Sequence, residues 1–338
     1  MSAFFIILMM AFMITLLALP ISKKLAFAIG AIDHSSDCLK LHGAPVPLLG
    51  GMSIVIGMLG ALLISASLIS LEAPSFWGFV VATMVITSIG IVDDLINVRP
   101  SYKLYMQIVL AVGLVCIGLR TQFFTSPFIS IPLTIFYVVG SCNAWNLLDG
   151  LDGLAAGIAA IAALCFFVLF LGINDGFGMA LSLALSGACI GFLTQNFNPA
   201  SIFMGDAGSM MIGLAFSVLM IRYSTSLSYQ SFFIPILICG VPVFDTALSY
   251  VRRLANRKPI LLGDRGHFYD HFLAKGYSVK QSVLICYFIG GIFGVSGIGL
   301  TAISSTTLFV FSVSIFILLI LGASKMQMFK ETKLYIDS

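Results

Sequence analysis

Charge is what this chain has least of. Of 338 residues only 9% are Asp, Glu, Lys or Arg, against 59% hydrophobic, and the mean hydropathy is +1.09. Soluble domains carry roughly 25% charged residues, and no water-soluble core of this length encloses so much apolar surface. A soluble globular protein is excluded, and lipid must be the solvent for most of the chain. Paired cysteines are lacking too. The seven cysteines (38, 116, 142, 165, 189, 239 and 286) form no CxxC and mostly lie in apolar runs. That argues against a disulfide framework or a thiolate metal site and leaves them as small packing residues. There is no low-complexity linker, no second soluble domain and no internal repeat of the kind that marks transporters. The net charge is only +3, and no nucleic-acid partner is expected.

What is present is a succession of apolar runs. A hydrocarbon core of about 30 Å needs about 20 apolar residues per helix. Such runs fall near 3–19, 46–70, 75–92, 104–119, 127–147, 154–172, 177–195, 207–221, 231–250, 281–299 and 305–322. The pattern predicts an all-α, polytopic integral membrane protein of about eleven transmembrane helices, one transmembrane domain over 1–338. The first run has no basic stretch before it and Lys23 and Lys24 after it, so it reads as an uncleaved helix with its N-terminus outside. With that orientation 15 of the 17 Lys and Arg residues face the cytoplasm, leaving only Arg120 and Arg222 outside. Such asymmetry is what sets topology, and it puts the C-terminus inside. Of 14 acidic residues, only Glu72 and Asp175 are external. Insertion does not explain that bias, and unpaired carboxylates at membrane depth are costly and usually functional.

Five constellations sit on the cytoplasmic loops, near 20–45, 93–103, 143–153, 196–206 and 251–280. Asp93 and Asp94 close the third helix, as a pair suited to a divalent cation or a shared proton. Lys103 opens the fourth, with Gln107 on the same face, and offers a cation to a phosphate. Asn143, Asn146, Asp149 and Asp152 recur every three residues, a polar stripe out of an apolar span if the segment is helical. Gly150 and Gly153 argue for a break there. Asp206 stands between Gly205 and Gly208 in a bare loop, open to a ligand or ion. Arg265, His267 and His271 form a basic group, the two histidines spaced to share a helical face. Too few neighbours exist for a zinc site, so anion binding is expected. Lys40 and His42, before the turn into the second helix, suit ordinary interface roles or ligand contact equally. Carboxylates for a cation, cations for phosphates and an amphiphilic setting together suggest phosphoryl transfer between a soluble nucleotide and a lipid, chemistry that is mainly positioning and charge neutralisation.

Asp93-Asp94, the run Asn146 to Gly153, and Gly205-Asp206-x-Gly208-Ser209 resemble, in order and spacing, the polyprenyl-phosphate N-acetylhexosamine-1-phosphate transferases, integral membrane enzymes that start cell-envelope glycans. The resemblance runs from about Lys40 to Tyr277. It implies transfer of a sugar 1-phosphate from a UDP-N-acetylhexosamine to undecaprenyl phosphate, releasing UMP, with Mg²⁺ (or Mn²⁺ in its place), at the cytoplasmic face of a bacterial plasma membrane. Carried over by position, Asp206 binds the metal with Asn146 assisting. Asp93 is base or nucleophile, and Asp94 its partner. Lys103 holds the pyrophosphate, Asp149 and Asp152 line the uridine site, and Arg265 and His267 meet the diphosphate and sugar. The branch that uses UDP-MurNAc-pentapeptide has a Lys where this chain has Asn97 and a triple His in the last loop. Pro242-Val243-Phe244-Asp245-Thr246 before Arg252-Arg253 is similar to the GlcNAc branch instead, although Tyr269 and Asp270 interrupt that branch's His cluster. An ion-coupled transporter would want ionisable groups near the bilayer midplane, where only Asp245 comes close. A CDP-alcohol phosphatidyltransferase would want an Arg soon after Asp152-Gly153, and none follows. Gly290-x-x-x-Gly294 is compatible with a homodimer.

Overall fold

The computed structural model describes residues 2–33, 45–66, 73–224, 229–257 and 266–302, with 307, 310, 314 and 317. Lys40, His42 and Arg265 lie outside the described residues, as does most of the run 305–322. The rest is helical almost throughout: α1 (Ser2–Ile29), α2 (Gly50–Ser65), α3 (Ala73–Ile96), α4 (Pro100–Cys116), α5 (Pro127–Leu148), α6 (Leu154–Ile173), α7 (Gly176–Asn196), α8 (Gly205–Tyr223), α9 (Tyr229–Ile238), α10 (Gly240–Ala255), α11 (Asp270–Ala274) and α12 (Val279–Gly299). Two short strands, β1 (Ile32–Asp33) and β2 (Val46–Pro47), pair antiparallel with Ile32 opposite Pro47.

Local chemistry sets the breaks. Pro100 and Pro127 start α4 and α5, at the position where a missing N–H costs nothing. Asn97 takes a positive φ of 50° just past α3. Asp175 caps α7, accepting the Gly178 N–H at 3.0 Å. Gly153, at φ 82°, ends the turn between α5 and α6, so the expected polar stripe is helical only as far as Leu148.

Ten of the eleven expected spans have a helical counterpart, and not all are straight full-length spans. Seven described helices are long and apolar enough to cross a membrane, or eight if α9 and α10, bent by 86°, make one broken span. At 16 and 17 residues α2 and α4 are apolar but shorter. The molecule is a polytopic, all-α membrane protein with large apolar side chains facing outward, such as Leu17, Val81, Phe136 and Phe288.

Helix α8 is the axis of the bundle, and every residue from Ala207 to Ile221 is buried. It packs against α5, α3 and α2. Glycines bring those backbones close: a Cβ on Gly90 of α3 would come within 2.3 Å of Ala207 Cα, and one on Gly51 of α2 within 2.3 Å of Gly208 Cα. On α5, Trp145 stacks on Phe216 with ring centroids 4.5 Å apart, and Ser141 Oγ donates to Gly213 O at 2.7 Å. Neighbouring Asn146 is therefore held in register with the first turn of α8.

Candidate active site

Three acidic segments that are distant in sequence meet at one end of this bundle. Asp94 reaches from the end of α3 to the start of α8, where its Oδ1 accepts the Asp206 N–H at 2.8 Å and its Oδ2 the Ala207 N–H at 3.3 Å. Those are N–H groups of α8's first turn, which has no helical partners for them and favours negative charge. Asp94 thus acts as a cap supplied by another helix, and it orients Asp206.

Asp206 itself is engaged on both oxygens. Lys103 Nζ donates to Oδ2 at 2.8 Å, and Asn146 Nδ2 donates to Oδ1 at 2.9 Å. Asn146 also donates to Ser209 Oγ at 3.0 Å. The same Lys103 Nζ contacts Asp93 Oδ2 at 2.5 Å, while Asp93 Oδ1 accepts the Val98 N–H at 2.7 Å. One ammonium therefore bridges a carboxylate from α3 and one from α8. A turn further along, Asn143 donates to Gln107 Oε1 at 2.7 Å, tying α5 to α4. Beside Lys103 an apolar cleft of about 270 Å³ opens between α3 and α4, lined by Ser88, Ile89, Val92, Val98, Tyr102, Lys103 and Met106.

Asp149 and Asp152 differ in how they are used. Asp152 Oδ2 accepts Asn198 Nδ2 and the Ala200 N–H, both at 2.9 Å, and so shapes the turn ahead of Asp206. The Asp149 N–H donates to Asn146 O at 3.3 Å, but its carboxylate makes no hydrogen bond among the described residues. Burial first, then the charges of Asp206, Asp94 and Asp152, push its carboxyl up to about 8. It retains acceptor or donor capacity for a ligand.

The last loop is organised around a residue the sequence reading passed over as a site member, Asp245 of α10. This carboxylate is fully buried and accepts both from His267 Nδ1 at 2.7 Å and from the Phe268 N–H at 2.9 Å. Asp270 Oδ2 accepts the Gly266 and His267 N–H groups, each at 3.0 Å. Because α11 begins only at Asp270, His267 and His271 do not share a helical face, which corrects that expectation. His271 is buried, and its Nε2 has no hydrogen-bond partner among the described residues. Burial, then Arg252 and Lys275, lower its pKa and leave it neutral, a poor charge for an anion. Tyr269 is buried too: a Cβ on Gly150 would come within 2.0 Å of its Oη, so the last loop packs directly on the Asp149–Gly153 turn.

The donors available to a metal are hard oxygens from Asp206, Asp93, Asp149 and, with its amide turned over, Asn146. Mg²⁺ takes such oxygens, commonly one or two carboxylates with water and phosphate oxygens completing the shell. Among the described residues no three His, Cys, Asp or Glu side chains converge on one point. The set therefore fits a cation shared with a phosphate ligand rather than a closed protein cage.

Comparison with known proteins adds a family match and three relatives. Residues 76–224 match the model of glycosyl transferase family 4. The chain is 36% identical, over 92% of its length and 88% of the relative's, to a probable undecaprenyl-phosphate N-acetylglucosaminyl 1-phosphate transferase of Bacillus subtilis. It is 30% identical to a decaprenyl-phosphate N-acetylglucosaminephosphotransferase of Mycolicibacterium smegmatis, over 83% of this chain and 78% of that one. A phospho-N-acetylmuramoyl-pentapeptide-transferase of Moorella thermoacetica is 31% identical over 78% of this chain and 86% of its own length, a more distant match over a shorter stretch.

Proposed function

The chain belongs to the polyprenyl-phosphate N-acetylglucosamine 1-phosphate transferases of glycosyl transferase family 4, and we propose that it transfers N-acetylglucosamine 1-phosphate from UDP-N-acetylglucosamine to undecaprenyl phosphate. The products are UMP and a lipid-linked sugar diphosphate that starts a cell-envelope glycan, of the O-antigen, teichoic acid or capsule type. An oxygen of the acceptor phosphate attacks the phosphorus that carries the sugar. The bond between that phosphorus and the oxygen bridging to the uridine phosphate breaks, and UMP leaves with its electron pair.

The observation that carries this reading is the lysine bridge. Carboxylates from α3 and α8 converge on Lys103 at the mouth of an apolar cleft. A cavity of roughly 150 Å³ accepts a benzene ring, so this cleft has room for about two five-carbon units of an acceptor chain whose phosphate lies beside Asp93. Asp93 accepts a proton from the acceptor phosphate and orients it. Lys103 neutralises phosphate charge in the ground and transition states. Asp206, aimed by Asp94, would hold Mg²⁺ with Asn146, and that ion supplies charge neutralisation on the diphosphate when bound. Asp149, whose carboxylate has no partner among the described residues, meets the uridine, and Asp152 supports the turn that presents it. The Lys and Arg distribution supports a cytoplasmic active site in a bacterial plasma membrane.

Two observations weigh against the other readings. Asp245, the one acid that a transporter would put near midplane, is committed to His267 and Phe268. The sequence departs from the pentapeptide branch at Asn97 and in the last loop. In the decisive assay, purified protein releases UMP from UDP-N-acetylglucosamine only when undecaprenyl phosphate and Mg²⁺ are both present. Release that needs UDP-MurNAc-pentapeptide instead would move the chain to the other branch.

A further inference from the structure

We infer that Asp245 is a positioning residue for nucleotide-sugar binding: from α10 it holds the His267 ring by Nδ1, so that Nε2 is presented, as an imidazolium N–H, to the donor's diphosphate. This rests on the reading above, in which His267 meets the donor.

The geometry leaves the ring little freedom. Asp245 uses one oxygen on the ring nitrogen and the other on the next backbone N–H, at 2.7 and 2.9 Å. Asp270 fixes the backbone of His267 itself, and Arg252 donates to the carbonyl of Gly266 just before it. One ring face stacks on Tyr269, centroids 5.2 Å apart and planes 7° from parallel. Tyr269 in turn abuts the turn that carries Asp149, so the imidazole stands at the edge of the acidic site rather than apart from it. Among the described residues the His267 ring makes its one hydrogen bond through Nδ1, and Nε2 makes none.

Charge points the same way. A carboxylate with no solvent exposure is costly unless paired, and His267 is hydrogen-bonded to it. Burial pulls the His267 pKa down. The Asp245 hydrogen bond and charge, with Asp270, outweigh that and the opposing Arg252, and hold it above the usual value. Tyr269, on the stacked face, is kept protonated by burial and by Asp245, Asp270 and Asp149. A carboxylate behind an imidazole sets the tautomer and the direction of the opposite nitrogen.

The test is calorimetric binding of UDP-N-acetylglucosamine to the full chain in detergent from pH 5.5 to 9, beside turnover. This donor's diphosphate has no titrating oxygen in that range. Wild type should lose affinity as pH rises through the His267 pKa. Asp245→Asn keeps the shape and removes the charge, so its loss of affinity should begin at least one pH unit lower. At pH 8 its donor KM should rise tenfold or more, while at pH 6 it recovers to within about threefold and the acceptor KM is unchanged. His267→Gln should abolish that pH limb, and it serves as the second variant if Asp245→Asn fails to fold. A limb owed to Asp149 instead would stay in place in both variants and would count against His267. An unchanged limb in Asp245→Asn, a loss equal at every pH, or a limb that survives in His267→Gln would each overturn the inference. Wild type that binds the donor with this limb but transfers nothing to undecaprenyl phosphate would sink the proposed reaction and leave the Asp245 assignment standing.

Discussion

Asp206 shows how little freedom a single side chain has at this site. Both of its oxygens accept hydrogen bonds, from Lys103 and Asn146. Asp206→Asn would turn an NH₂ group against one of those donors and replace a carboxylate with a poor magnesium ligand. Turnover is expected to fall below a tenth, about 1.4 kcal/mol of barrier or more. Greater residual activity at low Mg²⁺ would remove Asp206 from the metal. Asp93 and Lys103 should separate by kinetics. Asp93→Asn lowers kcat with donor affinity preserved, whereas Lys103→Ala also weakens donor affinity, since a phosphate contact acts in ground and transition states alike. Matching signatures would show that one of them is misassigned. Asp149 gives a pH test with a definite sign. Its carboxyl, raised to about 8 from an unfolded value near 4, binds more protons folded than unfolded between those pH values. Stability from this group is therefore lost as pH rises through that window. In metal-free detergent solution, thermal stability should fall more steeply from pH 5 to 8.5 in wild type than in Asp149→Asn.

Among the elements, α8 is positioned by its neighbours more than by its own sequence. Its first turn is capped from α3 by Asp94, and its close approach to α3 depends on Gly90 having no side chain. A methyl there meets backbone that cannot swing aside. Gly90→Ala should cost about 1–3 kcal/mol, and it should lower specific activity more than folded yield, because Asp206 moves with the helix. Equal losses would mean that the helix contact serves stability alone. Away from the site, Asp175 both caps α7 and makes a two-point ion pair with Arg222 of α8, Oδ2 to Nε at 2.8 Å and Oδ1 to Nη2 at 3.0 Å. Arg222 also lies over the Phe177 ring at 5.1 Å. Breaking a mostly buried pair from one side costs about 3 kcal/mol. Asp175→Ala should therefore lower the detergent unfolding midpoint without altering either substrate's KM, and a changed KM would link that end of the bundle to catalysis.

At the scale of the whole molecule, the distribution of Lys and Arg calls for an outside N-terminus and an inside C-terminus. Single cysteines near Ser2 and near Lys330, in a background freed of native thiols, should label from outside and inside respectively. Labelling near Lys330 from the outside would invert the topology and with it the compartment of the site. The described helices carry large apolar side chains on their outward faces, so the bilayer supports the bundle, and the carboxylates that share Lys103 sit where α3, α4, α5 and α8 come together.

The class of the protein was legible in composition, because lipid solvent demands apolar length and nothing else satisfies 59% hydrophobic residues with 9% charge. The acidic motifs were legible for a related reason: carboxylates at membrane depth without adjacent cations need an explanation, and Asp93 and Asp206 supply it by sharing Lys103, with Asp149 close enough to feel the charge of Asp206. Which oxygen does what was not legible. Asp93 and Asp94 are adjacent, yet a helix turns successive side chains about 100° apart. One therefore meets Lys103 while the other caps α8, a division that only the packing of α3 on α8 decides. Asp152 reads like Asp149 in the chain and differs only because Asn198 and Ala200 fold back onto it. Asp245 read only as the acid nearest the bilayer midplane, since its partner His267 lies 22 residues further along the chain. Residue types and their spacing along one helix are local quantities that a sequence carries whole. Contacts between helices depend on where backbones can approach, and glycines such as Gly90 and Gly51 reveal that only once both partners are in place.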